Sequence, residues 1–222
     1  MIEFFTGIDN WDEIAAATRD TLVMSGASLA FTVALGLPLG ILLFLSAPGQ
    51  LLANRPLNTV LAVIVNTLRS VPFIILLVVM IPLTVWLIGT SIGVPGAIPP
   101  LVLAATPFFA RLVENVLREI DSGVIEACQA MGAKKRQIVF GALIPEAVPG
   151  LTAAVTVTAI NLVSYSAMSG AIGGGGLGDL AIRYGYQRFQ TNVMVVTVTL
   201  MVVLVQALQV FGDRWVRRAT RR

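Results

Sequence analysis

Histidine is absent from these 222 residues, and cysteine occurs once, as Cys128. A lone thiol makes no intrachain disulfide, and without imidazole no Cys/His zinc site can form. Charge is scarce as well: Asp, Glu, Lys and Arg supply 12% of the chain, against about 25% in an ordinary soluble domain. No phosphate loop of the form G-x-x-x-x-G-K followed by Ser or Thr occurs, so any ATP hydrolysis belongs to another chain. Positive charge is nearly missing from the first twenty residues, where Glu3, Asp9, Asp12, Glu13 and Asp20 stand against Arg19. That is the reverse of the cationic start of a cleavable signal peptide, so the first apolar run is expected to be retained.

Apolar residues fill the chain instead, at 56% of the sequence and a mean hydropathy of +0.86. Long unbroken runs rather than alternating ones select membrane helices over a barrel. The runs lie near 21–46, 57–88, 94–116, 148–172 and 193–211. The reading is an all-α integral membrane protein with five transmembrane helices in one domain, 1–222. At 1.5 Å per residue the second run would reach about 48 Å, more than an upright crossing of about 30 Å needs. Its turns up to Arg69 are therefore expected at or beyond the interface.

A net charge of +3 and a pI near 9.5 raise nucleic-acid binding, but the basic residues are dispersed near span ends and form no stripe. Topology accounts for them. With the N-terminus outside, the inner side receives twelve: Arg55, Arg69, Arg111, Arg118, Lys134, Lys135, Arg136, Arg214, Arg217, Arg218, Arg221 and Arg222. The outer side receives three: Arg19, Arg183 and Arg188. The expectation is N-out, C-in, with the hydrophilic stretch 118–141 in the cytoplasm.

Within that stretch the residues read as two short helices parted at Gly132. Asp121 or Ser122 can cap the first, and Gly132 can take the left-handed conformation that ends it. Glu126 stands in the early turns, where a carboxylate suits the helix dipole. A capped connector with a solvated basic face would look the same; its length favours a task.

Glu126-Ala127-Cys128, then Gly132, then Leu143-Ile144-Pro145 resembles the Glu-Ala-Ala motif of permease subunits of ATP-binding-cassette importers. Cys128 replaces the usual third alanine, and Ala142 a larger aliphatic residue. Two further stretches, 68–77 (LRSVPFIILL) and 164–179 (SYSAMSGAIGGGGLGD), are similar to the bacterial methionine-import permeases. The resemblance implies a type I importer of the bacterial inner (cytoplasmic) membrane. In such an importer a short cytoplasmic coupling helix between spans 3 and 4 docks on an ABC ATPase dimer. It further implies a second copy of this chain and an external substrate-binding lipoprotein. Methionine would be the substrate, with D-methionine and derivatives as extensions. This chain would bind no cofactor and hold no catalytic residue, ATP and Mg belonging to the ATPase. Glu126, Ala127, Cys128, Gly132 and Pro145 would couple to that motor. An importer of another small amino acid, a stand-alone secondary transporter and a membrane scaffold are the other readings. The absence of a central Asp or Glu relay speaks against the second, and the motif-bearing loop against the third.

In the fourth span Thr158, Asn161, Tyr165 and Met168 share a helix face, with Ser164 beside them. Asn161, Ser164, Tyr165 and Met168 are candidates to line a path, and interhelical bonding is the plain alternative, above all for Thr158 and Ser164. The run Gly173, Gly174, Gly175 and Gly176 follows no strand and precedes no lysine, which leaves an external turn or a gate rather than a nucleotide loop. Arg69 is expected to snorkel inward or to pair with Glu114. Gly36 and Gly40, one turn apart, mark a close helix contact.

Overall fold

The computed structural model describes residues 11–220, and among them every regular element is helical. Glu3, Asp9, Arg221 and Arg222 lie outside the described residues. In chain order the helices are α1 (Trp11–Ser46), α2 (Arg55–Ser70), α3 (Phe73–Val79), α4 (Ile81–Ile88) and α5 (Gly93–Arg118). Then follow α6 (Ser122–Ala130), α7 (Lys135–Ile138), α8 (Ile144–Ser169), α9 (Gly176–Leu180) and α10 (Thr191–Thr220). π turns at Val139–Leu143 and Ala181–Tyr186 lead out of α7 and α9, and a 3₁₀ turn, Gly170–Ile172, ends α8.

Four stretches are long and apolar enough to cross a membrane: α1, α5, Lys135–Ile172 and α10. The pair α2 and α3, bent by 99°, makes a fifth if it counts as one span. The single run expected at 57–88 is thus three helices. Pro72 lacks an N–H and disfavours helix at Val71, which ends α2 there. Met80 then separates α3 from α4, and Gly89, at φ 85°, closes α4 by donating its N–H to Val85. Helix α1 begins ten residues before the expected 21, because hydropathy locates an apolar stretch and not a helix end. Asp12 and Glu13 in its first turn favour a helix start, and Ile14 and Ala17 are buried.

The chain packs into two compact units. One comprises residues up to Phe31, Val71–Ala105 and Ala159–Gln209; the other comprises Thr32–Ser70, Thr106–Thr158 and Val210 onward. The second unit is centred on Phe44, Phe109, Val113, Leu117, Ile138 and Leu143, all buried. Lipid gives apolar side chains no reason to leave it, so such helices associate through close packing and small residues. Gly40 shows it: a Cβ there would stand 2.5 Å from the Ala110 carbonyl and 2.6 Å from Val113 Cβ. One turn earlier a Cβ on Gly36 would stand 2.8 Å from the Phe109 ring. The close contact expected at Gly36 and Gly40 is the α1–α5 crossing. The first unit holds two clusters, one of Ile14, Ala17, Leu177, Leu180, Tyr184, Val193 and Val196, the other around Met24, Phe73, Leu101 and Leu162.

Candidate functional site

The segment 121–140 takes the predicted form. Asp121 caps α6, its carboxylate accepting the Gly123 N–H at 2.7 Å. Gly132 has φ 75°, and the N–H of Ala133 closes the turn onto the Cys128 carbonyl at 3.0 Å. The next helix opens with the Gln137 side chain accepting the Lys134 N–H at 2.8 Å. Glu126 and Ala127 are exposed, while Cys128, partly buried, packs against the unit's core. Small size at Cys128 is thus what the packing asks for, and sulfur satisfies it. Glu126 forms no ion pair among the described residues. Met131 and Phe140 are left 78% and 63% exposed, large apolar side chains on a segment too polar to lie in lipid.

Pro145 explains the π turn. A proline ring collides with the carbonyl four residues back, here Gly141, and offers no N–H. The chain widens at Val139–Leu143, where the Ile144 N–H reaches the Val139 carbonyl five residues away. That lets segment 121–140 run into α8 without a loop. At this end of the unit an open cleft of about 990 Å³ lies between Val124, Ala142, Pro145 and Glu146 on one wall and Trp215 and Arg218 on the other.

Glu114 is 1% exposed and fully engaged, so of the two outcomes expected for Arg69, snorkelling or pairing with Glu114, the pairing is not made. Arg111 Nη1 reaches Glu114 Oε2 at 2.5 Å, and Arg118 Nη2 reaches Oε1 at 2.6 Å. Arg111 also donates to Asn66 Oδ1 at 2.7 Å, tying α2 to α5. Arg69 is exposed in the last turn of α2. The missed signal was local: Arg111 and Arg118 lie three before and four after Glu114, and one helix supplies both partners at short range.

The polar face of α8 is divided. Thr158 is fully buried and donates to the Ala154 carbonyl at 2.8 Å, which leaves it no free donor. Tyr165 lies against Phe73, ring centroids 4.4 Å apart and planes 11° from parallel. Asn161 is half-buried with its amide unbonded by described residues, and Ser164 and Met168 are exposed. Phe73 was not singled out as a site residue by the sequence, although it lies in the quoted stretch 68–77. The glycine run is packed rather than loose. Cβ atoms on Gly170 and Gly178 would collide with backbone, of Gly178–Asp179 and of Ala167 respectively, so the end of α8 and α9 touch main chain to main chain. Gly173 accepts the Gly93 N–H at 2.8 Å, and the Leu177 N–H donates to Thr21 Oγ1 at 2.8 Å. The run thereby joins α1, α5, α8 and α9 at one end of its unit.

Membrane-crossing helices, a polar face on α8 and a structured hydrophilic segment with an exposed outer face define a multi-pass membrane permease. Residues 36–222 match the family described as binding-protein-dependent transport system inner membrane component, and the chain belongs to that family. It is therefore a multi-pass component of the inner membrane. It is 49% identical over 213 residues to the probable D-methionine transport system permease protein MetI of Vibrio cholerae, covering 96% of this chain and 95% of that one. It is 45% identical over 211 residues to the methionine import system permease protein MetP of Bacillus subtilis, with 95% of each covered. A solved structure described as an inward-facing conformation of the MetNI methionine ABC transporter superposes with a TM-score of 0.92 at 50% identity, covering 93% of this chain and 96% of that chain.

Proposed function

We propose that this chain is the membrane-spanning permease subunit of an ATP-driven methionine importer, with D-methionine and derivatives within its range. The observation that carries the reading is similarity near 50% along almost the whole length to methionine permeases. Residues 1–222 form one permease domain with five spans, N-out and C-in; the twelve-to-three basic asymmetry supports that orientation. The chain works as a homodimer with a cytoplasmic ABC ATPase dimer, which binds ATP and Mg, and with an external substrate-binding lipoprotein.

In this reading Glu126, Ala127, Cys128, Gly132 and Pro145 form the coupling site. Exposed Glu126, Met131 and Phe140 suit a partner that supplies a groove with a basic residue and an apolar floor. Closure of the motor pushes 121–140, the push enters α8 through the π turn, and the membrane helices alternate their access. Asn161, Ser164, Tyr165 and Met168 line the path: a zwitterion leaving water needs hydrogen-bonding groups in its place, and the free amide of Asn161 offers them. Gly173, Gly174, Gly175 and Gly176 act as the external gate by transmitting movement of α8 to α1 and α5 through their backbone contacts.

Reconstitution tests it. Proteoliposomes holding this chain and its ATPase, supplied with the binding protein outside and ATP inside, should accumulate labelled methionine. Uptake without the ATPase, or none with the complete system, would overturn the proposal.

A further inference from the structure

Phe189 is the one non-glycine residue with positive φ among those described, at 55°, and its side chain is 86% exposed. A bulky residue in the left-handed region is strained, and such strain persists only where the surroundings enforce it. The surroundings here do. Gln187 N–H donates to the Ile182 carbonyl at 2.9 Å, Gln190 N–H to the Tyr184 carbonyl at 3.0 Å, and Thr191 N–H to Phe189's own carbonyl at 3.1 Å. The buried Tyr184 ring lies under the Arg188 guanidinium at 4.5 Å and near that of Arg183 at 5.6 Å. Arg183 is itself fixed by Asp179 at 2.7 Å, a hydrogen bond that raises its pKa further above the ordinary value. Beneath them Leu177, Leu180 and Tyr184 pack on Ile14 and Ala17. The result is a stiff platform that holds a strained aromatic ring 86% exposed, with Tyr186 70% exposed three residues before it.

We infer that residues 183–190 are the surface on which the substrate-delivering protein docks, with the Phe189 ring entering an apolar recess of that protein and Arg188 facing an acidic rim. This rests on the outward orientation under Proposed function. Family membership as a binding-protein-dependent component requires such a partner. A rigid aromatic beside an arginine is the composition of an interface anchor. Lipid is the weaker occupant: a fluid acyl layer accepts a ring in any orientation and needs no strained backbone to present one. The residues between the ring and the apolar start of α10 at Val193 are also polar, namely Gln190, Thr191 and Asn192.

The permease–ATPase complex in nanodiscs, with methionine-loaded binding protein as the probe, gives the test. Glycine accepts a φ of 55° without strain, so Phe189→Gly should keep thermal stability and basal ATP hydrolysis. Binding-protein affinity should fall roughly tenfold or more, with a matching rise in the concentration that stimulates the ATPase. Phe189→Tyr should restore both. Unchanged affinity in Phe189→Gly overturns the docking surface, and lost stability with unchanged affinity gives the ring to lipid anchoring instead. Gln187→Cys in a Cys128→Ser background separates the two readings, since labelling of whole cells by an impermeant maleimide should succeed. Access only from the cytoplasm would overturn the orientation and the docking together; external labelling with unchanged affinity would overturn docking alone.

Discussion

A single hydrogen atom at Gly40 sets how closely α1 approaches α5. The neighbour a Cβ would meet at 2.5 Å is the Ala110 backbone, which cannot rotate aside, so the helices themselves must separate. Gly26, on the same helix, has nothing within 4 Å. Gly40→Ala should therefore cost about 1–3 kcal/mol, the usual range for overpacking, whereas Gly26→Ala should change stability by no more than about 0.5 kcal/mol. Thermal unfolding of the two variants in one detergent checks it; equal midpoints would mean that α1 shifts freely past α5. The same scale explains Glu114. Its two arginines are within one helix's reach, three residues before and four after, so the spacing in the sequence already contained both partners, and Arg69 is left exposed.

Among the elements, α6 and the turn after it show how little local energy a coupling variant need cost. Gly132 meets no atom within 4 Å of an added Cβ, so Gly132→Asp pays for the left-handed backbone alone, about 1–2 kcal/mol and less for an Asp that bonds locally. Glu126→Lys sits on an exposed face past the first turn, where a charge reversal against the dipole costs roughly a few tenths of a kcal/mol. Neither sum approaches the 5–15 kcal/mol that unfolding requires, so both proteins should insert and accumulate normally. Methionine uptake should nonetheless collapse, with ATPase subunits lost on purification or hydrolysing ATP without transport. Normal uptake with a normally bound ATPase in both variants would remove 121–140 from the coupling role. The capped helix and its glycine stop were legible because both depend on neighbours in sequence. The π turn was not read from Pro145, since it is one of several ways a chain can relieve a proline.

For the whole molecule, the proposed topology of five spans with the N-terminus outside would place Gln129 and Ala219 on one side and Gln187 on the other. With Cys128 replaced by serine, cysteines at Gln129 and Ala219 should react with an impermeant maleimide only in inverted vesicles. External reaction at Ala219 in intact cells would break the five-span topology. The family was readable from motif residues, and the helical class from hydropathy, because lipid forbids unpaired backbone and so turns apolar runs almost directly into helices. So were a cap at Asp121 or Ser122 and the stop at Gly132, which follow from local stereochemistry, and the small-residue face of Gly36 and Gly40, though not the helix it meets. Only the tertiary structure decided that α1 begins at Trp11, that the second run is broken by 99°, that Tyr165 is stacked on Phe73 and Thr158 turned inward, and that Phe189 stands strained and bare. The physical reason is common to all of these: helix ends, bends and the burial of one polar face are set by what packs against them from far along the chain, and a single sequence records its local stereochemistry but not its distant neighbours.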